Sequence, residues 1–103
     1  LLSYGNEAVM LEKLITETEK EMRLMQDEAT KKDMKGLDAI THHLRSSWEV
    51  LRADQPLRVL YGLLHGKDKP DTEALSNAVT AVLDKGAEII RLAEEERRKY
   101  ENG

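Results

Sequence analysis

Leu1, Tyr4, Ala8, Leu11, Ile15, Thr18, Met22, Met25 and Ala29 follow one another at alternating steps of three and four residues. Only an α-helix keeps residues so spaced on a single stripe, so the spacing predicts one helix over about residues 6–32. Met10, Leu14 and Leu24 flank the stripe and widen it, which suits a helical bundle better than a two-stranded coiled coil. Thr18 is the only polar residue on it. Gly5-Asn6 reads as the start, with Asn6 as N-cap and Glu7 in the first turn. The opposite face is charged, and Glu19 to Arg23 is an i,i+4 pair in the favourable order.

The stripe stops at Thr30-Lys31-Lys32-Asp33. A second register begins at Met34 and continues through Leu37, Thr41, Leu44, Trp48 and Leu51. The five-residue step from Ala29 to Met34 fits no heptad, so a tight helix–helix turn is expected, with Asp33 capping the second helix. Ala53-Asp54-Gln55-Pro56 is the next punctuation, as a break or as a kink. Leu57 to Leu64 has almost no polar face and reads as a short, buried, central helix closed by His65-Gly66. After the polar loop Lys67-Asp68-Lys69-Pro70, Asp71 or Thr72 caps a last helix. Its seam is Leu75, Val79, Val82, Gly86, Ile89, Ala93, Glu96 and Tyr100. No strand pattern is present. The expected fold is all-α: an antiparallel hairpin or bundle of three long helices plus one short apolar helix. Residues 1–103 form a single helical domain.

Composition agrees with helix-on-helix packing and removes other classes. The 103 residues are 40% hydrophobic but only 4% aromatic, with no phenylalanine and no cysteine. Absent cysteine excludes a disulfide framework, a Cys-based zinc site and a thiol nucleophile. A net charge of −4 argues against a non-specific nucleic-acid coat. No apolar run approaches the roughly 20 residues of a membrane span. The chain opens on Leu1 without a signal-peptide pattern, which reads as a fragment of a longer cytoplasmic protein.

Chemistry-bearing motifs are few. His42 and His43 are adjacent and project about 100° apart on a helix, so they cannot share a metal within one chain. No phosphate-cradling glycine loop or nucleophile elbow occurs. No cofactor or metal is expected. His42-His43-Leu44-Arg45-Ser46-Ser47 resembles the phosphoacceptor box of sensor histidine kinases, which reads His, acidic, Leu, Arg, Ser or Thr, Pro. That resemblance implies a phosphotransfer or kinase-dimerisation domain with His42 as phosphoacceptor. His43 departs from the acidic residue and Ser47 from the proline.

A second resemblance covers roughly residues 20 to 52. Glu28-Ala29, Asp33, Leu37, Ala39-Ile40, Leu44-Arg45 and Trp48-Glu49 are similar to helical segments that follow a helix-turn-helix in phage small terminase subunits. It implies that this chain is the oligomerisation part of a DNA-associated phage assembly, with the DNA-binding part before Leu1. Direct nucleic-acid binding by this segment is then not expected.

The first and last seams are about 35 to 40 Å long at 1.5 Å per residue, and the middle segments are too short to cover both. Self-association follows as the expectation, most simply a two-fold dimer. Leu11, Ile15, Met22, Met25, Trp48, Val82 and Ile89 are the residues expected at the interface. Trp48 reads as a core anchor whose indole N–H takes one partner, and as an interface hot spot if its face is open. The leading function is a non-enzymatic oligomerisation or protein-interaction module, with His42 phosphotransfer as the alternative.

Overall fold

The computed structural model describes the backbone of residues 2–102 and the side chains of residues 6–101. Four helices follow in order: α1 (Leu2–Lys31), α2 (Met34–Val50), α3 (Gln55–Leu64) and α4 (Thr72–Asn102). No strand occurs among the described residues. Each helix packs on its neighbour in sequence, and α4 returns to pack along α1, while the diagonal pairs α1/α3 and α2/α4 stay apart. The result is an antiparallel four-helix bundle with up-down-up-down connectivity. Seam positions Leu1 and Tyr4 lie outside the described side chains.

Local chemistry explains the boundaries. α1 begins at Leu2, so Asn6 lies inside the helix instead of capping it. One interior glycine costs a helix only about 1 kcal/mol, which does not stop it. At the α1–α2 turn, Asp33 N–H donates to Glu28 O over 2.9 Å and Lys32 N–H to Ala29 O over 3.1 Å. The α2–α3 corner repeats the pattern, with Ala53 N–H to Trp48 O at 2.8 Å and Arg52 N–H to Glu49 O at 3.0 Å. Both are Schellman closures, which need a left-handed residue just past the helix. Lys32 and Arg52 fill those positions, each with φ of 58°. Glycine would do so with less strain. The next helices start on aspartates as expected. Asp33 Oδ1 accepts from Gly36 N–H at 3.0 Å, and Asp71 Oδ2 from Ala74 N–H at 3.3 Å.

Pro56 breaks the chain between α2 and α3, sitting in the first turn of α3 where its missing N–H costs nothing. Asp54 occupies the capping position but makes no side-chain cap; its carboxylate instead takes Arg58 Nε at 2.7 Å. Gly66 is not left-handed either, as no described glycine has positive φ.

The core lies between the four helices. Met22 and Met25 meet Leu37, Ile40, Leu44 and Trp48 from α2, Leu57 and Leu60 from α3, and Val79, Val82 and Ile89 from α4. Thr18 and Thr41 are buried among them, and Thr41 is satisfied by donating to Leu37 O at 2.8 Å. Gly86 lets α4 approach α1, because a Cβ there would overlap Met22 Sδ. α3 is not the central element its composition suggests. It holds one corner of the bundle and buries only Leu57 and Leu60, leaving Val59 and Tyr61 exposed. Leu51 also leaves the expected stripe, because the helix has ended and Leu51 is its C-cap.

Candidate functional site: an uncovered two-helix arm

The four helices differ in length, and that difference builds the site. α1 and α4 have 30 and 31 residues; α2 and α3 have 17 and 10. α1 ends, and α2 and α4 start, at the pole that holds the α1–α2 turn, whereas the shorter α3 runs back toward it from the α2–α3 corner. α2 therefore ends about 20 Å short of the far end of α1, at about 1.5 Å per residue. Beyond the α2–α3 corner, α1 and α4 continue alone as a two-helix arm. The molecule is correspondingly long, 53 × 21 × 17 Å. Near the arm's tip the Tyr100 hydroxyl donates to the Glu7 carboxylate, which ties α4 to α1.

Within the body, α2 and α3 cover the inner faces of α1 and α4. In the arm nothing among the described residues does so. At the junction a groove of about 290 Å³ is floored by Leu11 and Leu14 from α1, Leu51 and Ala53 from the corner, and Ile89 and Leu92 from α4. Met10 extends the Leu14 row by one turn and is 68% exposed, and Leu92 is 48% exposed. Leu51, on the groove floor, is 43% exposed. The charged residues on the groove wall are Arg52, Lys85, Glu88 and Glu96, two of each sign. Lys85 Nζ pairs with Glu88 at 3.4 Å, and Lys99 Nζ with Glu96 at 3.1 Å.

Of the residues expected at an interface, Ile15, Met22, Met25, Trp48, Val82 and Ile89 are buried within the chain. They form its own core, because α1 and α4 cover each other's seams along their length. Leu11 alone is half-buried and opens onto the groove. Trp48 is fully buried, and the expected partner for its indole N–H is missing: Nε1 is enclosed without a hydrogen bond. The exposed residues that sequence reasoning missed as site members are Met10, Leu51 and Leu92. Met10 was legible as a seam flank, whereas Leu92 lies off the α4 seam and has no local signal.

His42 and His43 are exposed on α2. His42 lines a shallow groove between α2 and α3 with Arg45, Arg58 and Tyr61. Both arginines are already paired, Arg45 with Glu49 at 3.1 Å and Arg58 with Asp54 at 2.7 Å. Arg45 also stands 5.6 Å over the Tyr61 ring, and Tyr61 stacks on His65 at 4.2 Å. His65 Nε2 in turn meets Asp38 Oδ1 at 2.7 Å. This network joins α2 to α3 and accounts for His65 as a structural residue. His43 Nε2 lies 3.7 Å from Glu21, across to α1. Among the described residues no group of three His, Asp or Glu side chains is placed to hold a metal ion, and no helix is long and apolar enough to cross a membrane.

No protein-family model, curated protein or solved structure matches this chain.

Proposed function

We propose that the chain is a non-enzymatic self-association module in which the arms of two copies pair. The observation that supports this reading is the uncovered inner face of α1 and α4 beyond the α2–α3 corner, with Met10, Leu51 and Leu92 exposed along a groove floored by Leu11 and Leu14. Two such arms laid together through a two-fold axis rebuild the four-helix cross-section that α2 and α3 complete in the body. The groove wall carries both charge signs, so identical surfaces can meet without net repulsion. A strongly basic or acidic partner finds no complementary field there.

In a larger assembly the same contact would hold subunits together, which is the role implied by the small-terminase resemblance of residues 20 to 52. Sedimentation velocity over a concentration series tests the proposal. A dimer at tens of micromolar is expected. The double variant Met10→Glu, Leu92→Glu should be monomeric with an unchanged circular dichroism spectrum, since both side chains are exposed in the single chain. A wild-type monomer at every concentration overturns the reading.

A further inference from the structure

The opposite pole carries a second cavity that differs in kind from the arm groove. It is the larger of the two, about 580 Å³ against about 290 Å³. That size lies within the range of small-molecule sites. It opens at the pole where α1 ends at Lys31 and α4 begins at Thr72. Its walls come from three helices and the loop before α4. Such a walled cleft suits a small molecule, whereas a docking helix needs an open trough.

The lining has two chemistries. Ala29, Met34, Leu37, Leu75 and Val79 supply an apolar interior that is continuous with the core. Among the described residues, Lys32 and Lys69 are the only charged ones on the wall. No carboxylate lines the cleft, although the protein as a whole has a net charge of −4. Neither ammonium has an ion-pair partner among the described residues. Three other grooves among the described residues lack this one-sided charge. The arm groove balances two cations with two anions, the α2–α3 groove contains Asp54, and the α3–α4 groove has no charged residue at all. Lys32 is also held in the left-handed conformation that closes α1. The backbone at the rim is therefore fixed by hydrogen bonds and not free to turn away.

From this charge asymmetry we propose that the cleft binds a single-chain amphiphile with an anionic head, such as a fatty carboxylate. The chain lies on Met34, Leu75 and Ala29, which are the part-exposed apolar residues of the lining, and the head lies between Lys32 and Lys69. Lysine presents each charge as a compact point donor, which suits a small carboxylate without demanding a planar fork. This inference is independent of self-association, because the cleft and the arm lie at opposite ends of the molecule.

Isothermal titration with decanoate, below its micelle-forming concentration, tests it. Saturable one-to-one binding is expected. Neutral decanol should bind about tenfold or more weakly, the loss of a charge-assisted contact. Decyltrimethylammonium should not bind. The double variant Lys32→Glu, Lys69→Glu should lose decanoate to a similar degree. Ser76→Phe, at an exposed position on the cleft wall, should block the chain while leaving the fold intact by circular dichroism. Absent binding to the wild type overturns the proposal. So does binding that is equal for the cationic amphiphile, or equal in either variant.

Discussion

Glu28 and Asp33 share the α1–α2 turn, and their two carboxyl groups titrate as neighbours. The hydrogen bond with Asp33 holds the Glu28 carboxyl above its usual range, with burial and the Asp33 charge acting the same way. Asp33 is held below its usual range, first by the Gly36 N–H it caps and then by the hydrogen bond with Glu28. The arrangement needs Gly36, because a Cβ there would overlap the Glu28 carboxylate. The two shifts have opposite consequences for stability. The Asp33 contribution is present above its unfolded value and is lost as pH falls through its lowered folded value. The Glu28 contribution is present below the unfolded value, about 4.3, and is lost as pH rises through the raised folded value. Where both groups are ionised the hydrogen bond between them is lost and they repel. Glu28→Gln keeps a donor beside Asp33 at every pH, so the variant should be more stable than wild type once pH has risen through the raised Glu28 titration. The advantage should shrink as wild-type Glu28 becomes protonated. Urea midpoints measured between neutral and mildly acidic pH check this, and a pH-independent difference rejects it.

At the scale of elements, α1 and α4 meet at one place where size is critical. Gly86 is buried and Met22 fills the space a larger residue would need. In an isolated helix Gly86→Ala gains about 1 kcal/mol from propensity. Here the methyl overlaps a confined side chain, and overpacking costs about 1–3 kcal/mol. Gly86→Ala should therefore be neutral to destabilising, and Met22→Ala should lose about 2–5 kcal/mol through its cavity. Combined, the two changes should destabilise less than their sum, because each relieves the other. A double-mutant cycle by chemical denaturation reads this coupling, and strict additivity would refute the contact. Sequence made this pairing half visible. Gly86 occupies a seam position of α4 and Met22 one of α1, since a helix prints its buried face on its own periodicity. That they face one another, 64 residues apart in the numbering, has no local imprint. α3 shows the converse. Its apolar residues suggest burial on all sides, but burial depends on how many neighbours surround a helix. A corner helix has two, so Val59 and Tyr61 remain outside. Lys32 and Lys69 likewise come together only through the fold, as members of two separate polar turns.

At the scale of the whole molecule, body and arm are unequal. The body is a closed bundle with a core of four helices, whereas the arm rests on a single helix pair. Local opening free energy follows the density of buried contacts. Amides of α1 before Leu14 and of α4 after Ala93 should exchange with solvent faster than those around Met25 and Val82. Dimerisation through the arm should slow them as concentration rises. Hydrogen exchange by mass spectrometry at two concentrations measures both effects, and equal protection of arm and body argues against the division. The expectation that long seams outrun the short middle helices was legible from element lengths alone. Which face they leave bare was not, because it depends on how α1 and α4 rotate to bury Ile15, Ile89 and Ala93 against each other.

The Glu7–Tyr100 contact places the early turns of α1 beside the late turns of α4. A tether pulling on those two neighbours would load the arm crosswise, like a zipper drawn from its open end. Antiparallel helices so loaded separate turn by turn, each turn bearing the force alone. The body, reached last, would resist as one unit, so the arm would act as a mechanical fuse that yields before the core does.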